Sequence, residues 1–136
     1  IARTRDTVAI MRQIFRREGP VAYEGEAISL PYRGPDAIGV GKPLKSTLHP
    51  VRDVIPIYLA AEGPKNVALS AELCDGWLAL FFSTGNQSFY RGALQEGFDR
   101  EGAHRSWDDF EVAATVPVIS CPITAGVGNA TSAFIT

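Results

Sequence analysis

The feature that constrains this chain most is a set of short apolar runs separated by stretches with helical spacing. Residues 55–61 read Ile-Pro-Ile-Tyr-Leu-Ala-Ala and residues 77–82 read Trp-Leu-Ala-Leu-Phe-Phe. Neither alternates apolar with polar, so each is expected as a strand covered on both faces, as in a parallel sheet. Residues 111–118 read as a third strand. Between them, Val67, Ala68, Ala71 and Cys74 give a narrow face of small residues on a helix over 64–73. From about residue 88, Tyr90, Leu94, Gly97 and Phe98 recur on one face of another helix. Strands alternating with helices predict parallel βαβ units, hence an α/β fold.

An earlier helix is predicted from Val8, Met11, Ile14 and Phe15. Thr4 suits its N-cap, Asp6 its first turn, and Arg16 and Arg17 its last, with Gly19 and Pro20 as the stop. Two extended pieces about Glu24 and Gly25 predict a small hairpin. Residues 31–56 hold Pro31, Pro35, Pro43, Pro50, Gly34, Gly39 and Gly41 and show no period. A connection that long is usually functional or disordered. Residues 120–136 are uncharged and rich in Ala, Gly, Ser and Thr, without a helical face. The expected organisation is therefore a barrel-like domain over 1–119 and an atypical tail over 120–136.

Three parallel strands leave apolar edges open, which complete folds cover or close. Closure as a (β/α)8 barrel takes about 200 residues or more. The chain is expected to be a partial TIM barrel holding roughly three of the eight units. It starts at Ile1 rather than Met, as processing or an incomplete record would produce.

Composition removes several function classes. The net charge of −2 and the scattered basic residues argue against a nucleic-acid partner. Arg12, Arg16 and Arg17 fall at a helix end, where cations suit the macrodipole. No apolar run is long enough to span a membrane, and no signal-peptide pattern opens the chain. The two distant cysteines, Cys74 and Cys121, suit a reduced, cytoplasmic chain. His49 and His104 are isolated and read as surface residues, and no metal-ligand spacing is present. Residues 34–42 end in Gly-Lys but fail as a phosphate-binding P-loop. Asp36 stands where the first glycine belongs, Pro43 replaces the hydroxyl residue, and no strand precedes them.

The most informative stretch is Pro-Ile-Tyr-Leu-Ala-Ala-Glu-Gly-Pro-Lys at 56–65. A buried strand ends in small residues, turns at a glycine and opens a helix. Small residues admit a ligand close to the backbone, and the free amides of a helix start favour an anion. The ends of parallel strands are where α/β folds place ligands. A plain strand-to-helix turn fits Gly-Pro equally well.

This stretch, continued by Asn-Val-Ala-Leu and then Ala-Glu-Leu-Cys-Asp-Gly-Trp-Leu at 71–78, resembles the luciferase-like monooxygenase family. The branch it resembles most uses the deazaflavin coenzyme F420. The earlier Thr-Arg-Asp-Thr-Val-Ala-Ile and Ile-Phe-Arg-Arg-Glu-Gly runs are similar to it as well. The resemblance implies a flavin- or deazaflavin-dependent oxidoreductase moving a hydride between F420 and a small organic substrate, with FMN and oxygen as the alternative. It also implies that Ala60, Ala61, Glu62, Gly63, Pro64 and Lys65 lie beside the cofactor phosphate, with Ser83 and Thr84 at the same barrel mouth. By the same resemblance, the strands that would come first, with many of the residues facing the reactive ring, are not in this sequence, so no catalytic residue is assigned. A non-catalytic barrel segment remains the rival reading for the isolated chain, and self-association of the parent is left open.

Overall fold

A computed structural model describes residues 1–52, 54–80, 82 and 84–115. They fall into two compact units, Ile1–Ile57 and a second that begins at Tyr58. The expected tail over 120–136, residues 116–118 of the third predicted strand, and Ser83 lie outside the described residues.

In the first unit α1 spans Ala2–Arg16 and ends where Arg17 turns left-handed (φ 54°), its amide donating to the Gln13 carbonyl at 3.1 Å. The helix starts earlier than Thr4 would place it: Ile1 holds the N-cap position and no side chain caps it. Asp6 is not a first-turn charge in solvent but a buried carboxylate. It accepts from the Tyr23 hydroxyl at 3.0 Å and the amides of Ala27 and Ile28 at 2.7 and 2.9 Å. Those bonds outweigh the modest attraction of an exposed acid to a helix start.

The donors belong to the predicted hairpin, in which β1 (Tyr23–Glu24) pairs antiparallel with β2 (Ser29–Leu30). Gly25 is required at its turn because a Cβ there would fall 2.4 Å from the Asp6 carboxyl carbon. The long connection is tied back by amide–carbonyl bonds in both directions between Val21 and Leu44. Its side chains Ile38, Val40 and Val51 are exposed.

The second unit is the α/β part. Strands β3 (Tyr58–Ala60), β4 (Gly76–Ala79) and β5 (Glu111–Ala114) lie in that order, both pairings parallel. Leu59 stands beside Trp77, and Trp77 beside Val112. Crossovers are made by α2 (Pro64–Leu73) and α3 (Gln87–Phe98). One sheet face is closed by these helices: Ala61, Trp77 and Ala79 pack with Val67, Ala71, Tyr90, Ala93 and Leu94. The helices touch closely at Gly97, where a Cβ would lie 2.1 Å from the Ala68 carbonyl oxygen.

The other face corrects the expectation of strands covered on both sides. Tyr58, Leu78 and Leu80 are 40, 41 and 52 % exposed. Across this face, the Tyr58 hydroxyl donates to the Glu111 carboxylate, passing over Gly76 in the intervening strand.

The segment leading into β5 is clasped to the helices by polar and aromatic contacts. Asp75, buried between α2 and β4, takes Arg105 at 2.7 Å, and Glu72 takes Arg100 at 2.8 Å. Trp107 stacks edge-on against Phe98 and lies under the Arg91 guanidinium. His104 is exposed as expected, with its ring nitrogen 3.2 Å from the Asp75 carboxylate. His49 is exposed as expected.

Candidate functional site

Residues 60–65 follow directly from the strand that positions them. Ala60 is the last residue of β3, Ala61 turns its small side chain into the core, and the chain leaves the sheet at Glu62. Gly63 is the N-cap of α2 in extended geometry (φ −75°, ψ 146°), and Pro64 occupies the first helical position. That position suits proline, whose missing N–H would have had no intrahelical acceptor.

The Gly63 carbonyl accepts the first helical bonds, from Asn66 and Val67, both at 3.0 Å. Among the described residues no group accepts from the amides of Gly63 and Lys65. Such amides, at the positive end of the helix dipole, are the donors an anion would use. Nothing lies within 4 Å of a Cβ built on Gly63. The Lys65 side chain is exposed.

Two bonds, from β4 and from the residue after it, hold this loop. The buried Trp77 indole N–H donates to the Ala61 carbonyl at 2.7 Å, and the Leu80 amide donates to Glu62 Oε1 at 3.0 Å. Sequence reasoning missed both. A signal existed for the first, since a tryptophan in a fully buried strand needs an acceptor for its N–H. None existed for the second, because an acid in a turn is ordinarily solvated.

The structure thus gathers Ala60 to Lys65 into one loop at the carboxyl end of β3 and joins it to the end of β4. Ser83 lies outside the described residues, and Thr84 begins a short 3-10 turn, Thr84–Asn86, that leads into α3. Among the described residues, no cluster of His, Cys, Asp or Glu suited to a metal ion is present. No described helix is long and apolar enough to cross a membrane.

Parallel strands joined by helical crossovers, with a small-residue loop at a strand's carboxyl end, are the building unit of α/β proteins, the β/α barrels among them. The family model for luciferase-like monooxygenases matches residues 1–123, and the chain belongs to that family. A relative from Mycobacterium tuberculosis (strain ATCC 25618 / H37Rv), provisionally named a coenzyme F420-dependent oxidoreductase, is 51% identical over 119 residues. That match covers 88% of this chain and 34% of the relative. Among solved structures, an F420-dependent secondary alcohol dehydrogenase in complex with an F420-acetone adduct superposes with a TM-score of 0.54. It is 17% identical, and the match covers 82% of this chain and 30% of that one, which supports the shared fold alone. The chain spans about a third of the length of these relatives.

Proposed function

We propose that the protein containing this segment is an F420-dependent oxidoreductase, and that the 60–65 loop contacts the phosphate of the cofactor. The observation that carries the reading is the 51% identity, over 88% of the chain, to a relative named for F420. The loop fits the group it would receive. Ala60 and Gly63 add little bulk, the amides of Gly63 and Lys65 have no described acceptor, and the dipole of α2 points its positive end outward. Lys65, in the first turn, is close enough in sequence to add a positive charge.

When bound, the deazaflavin supplies a ring that gives or takes a hydride; the reacting partner is a small organic molecule. The residues of this chain bind and orient. Ala61, fixed by Trp77, sets the level of the loop relative to the sheet, and Glu62 sets its tilt toward β4. Ser83 is proposed for the same barrel mouth on its place in the sequence, shortly after β4.

The test is a fluorescence titration of the purified chain with F420 and, separately, with FMN, beside a circular dichroism melt. Saturable F420 binding to a folded chain, weakened when Gly63→Val crowds the amides, is the expected outcome. Preference for FMN would move the reading to a flavin enzyme of the same family. Binding of neither by a folded chain would remove the loop as a sufficient cofactor contact.

A further inference from the structure

We propose that Glu62 is a positioning residue. By accepting the Leu80 amide, its carboxylate holds the 60–65 loop in the shape that leaves the Gly63 and Lys65 amides open. The functional meaning rests on the cofactor reading above; the tether itself does not.

The pairing of β3 with β4 ends at Ala60 beside Leu78. Beyond it β3 leaves the sheet to begin α2, while the other chain continues to Leu80. The next rung would require a backbone acceptor for the Leu80 amide, and the departing chain no longer provides one. Glu62 Oε1 supplies it at 3.0 Å. The side chain therefore replaces a rung of the sheet at the point where the loop is released. One residue earlier, the Ala61 carbonyl is held at 2.7 Å by the Trp77 indole, on the core side. The loop is thus held at consecutive residues, by the backbone of Ala61 and by the side chain of Glu62.

The same bond bears on charge. A free carboxylate in this loop would oppose an incoming anion, whereas this one faces an amide donor that offsets part of its charge. Glu62 thus shapes an anion-facing loop with an anionic side chain directed to the neighbouring strand end. Gln can make the same bond without the charge; Ala cannot make it, and Asp is one methylene shorter.

Amide hydrogen exchange and amide chemical shifts, read by NMR on the 136-residue chain, separate these cases. In Glu62→Ala the Leu80 amide is expected to exchange roughly tenfold faster, as the loss of one charge-assisted bond implies. The Ala61 to Lys65 amides should shift with it. Glu62→Gln should keep the protection and the shifts; Glu62→Asp should lose both. Equal protection of Leu80 in wild type and Glu62→Ala would overturn the proposal, as would Glu62→Gln behaving like Glu62→Ala. If Glu62→Ala fails to fold, the contrast between Gln and Asp decides.

A parallel F420 titration keeps the two readings distinguishable. Binding retained in Glu62→Gln and weakened in Glu62→Ala would support both. A wild-type chain that ignores F420 but shows the Leu80 pattern would remove the loop as a sufficient cofactor contact and leave the tether standing.

Discussion

At the residue scale, two glycines on one helix have opposite reasons for being there. Gly92 and Gly97 both lie inside α3. A Cβ at Gly92 meets nothing within 4 Å, whereas one at Gly97 would lie 2.1 Å from the Ala68 carbonyl oxygen and 2.7 Å from the Ala71 Cβ. Alanine in a helix interior is favoured over glycine by about 0.5–1 kcal/mol. At Gly92 that gain is unopposed, and Gly92→Ala is expected to raise the midpoint of thermal unfolding. At Gly97 it meets an overpacking cost of roughly 1–3 kcal/mol, with a backbone atom that no rotamer change can move aside. The cost wins, so Gly97→Ala should be destabilising and should loosen α2 from α3. Thermal melts of the two variants, followed by circular dichroism, check both signs at once. A Gly97→Ala variant as stable as wild type would mean that the helices are further apart than described.

At the element scale, β4 governs the second unit: it pairs with both neighbours and carries the indole that fixes the loop after β3. Trp77→Phe keeps much of the packing but leaves the Ala61 carbonyl without its buried donor, at a cost of about 1–3 kcal/mol plus any cavity. The expected outcome is a lower urea midpoint with altered amide shifts at residues 61–63; an unchanged midpoint would argue that water replaces the indole without loss. The order of strands and helices was legible in the sequence because continuous apolar runs and 3.6-residue spacing are local signals. Strand ends were overdrawn, since a strand lasts only while a partner runs beside it: β3 was expected over 55–61 and pairs only over Tyr58–Ala60. The loop was legible as a strand-to-helix turn in small residues, and its resemblance to the luciferase-like family gave it a candidate role. What held it was not legible. The partners of Ala61 and Glu62 lie 16 and 18 residues away, and those of Asp6 lie 17 to 22 away. No local pattern announces a bond between such positions, so Asp6 read as a helix-end charge when it is the anchor of a hairpin.

At the scale of the whole molecule, stability should depend on pH at both extremes, through groups that the fold has taken out of their ordinary range. The amides and hydroxyl of the hairpin, the Ala27 amide foremost, hold the Asp6 carboxyl below its usual value of 3.8. The Ser106 amide and then the Arg105 guanidinium lower Asp109 from 3.8 to about 2. A carboxyl that gives up its proton more readily when folded than when unfolded stabilises the fold above its unfolded value. That contribution is lost as pH falls through the folded value, between 3.8 and about 2 for Asp109. Tyr58 acts in the opposite sense, because its bond to Glu111 raises the phenol above 10.0. Its contribution is complete below 10.0 and disappears as pH rises through the raised value. The thermal midpoint should therefore be level through neutrality, fall on the acid side below about pH 4, and fall again in strong alkali. Asp109→Asn should flatten the acid limb, because the replacement has no proton to take up, while Asp108→Asn serves as the neighbouring control. Tyr58→Phe should flatten the alkaline limb and leave the acid limb unchanged. Calorimetric melts across pH check these slopes, and an Asp109→Asn acid limb that overlays the wild type would show that the Ser106–Arg105 clasp contributes nothing to the folded chain.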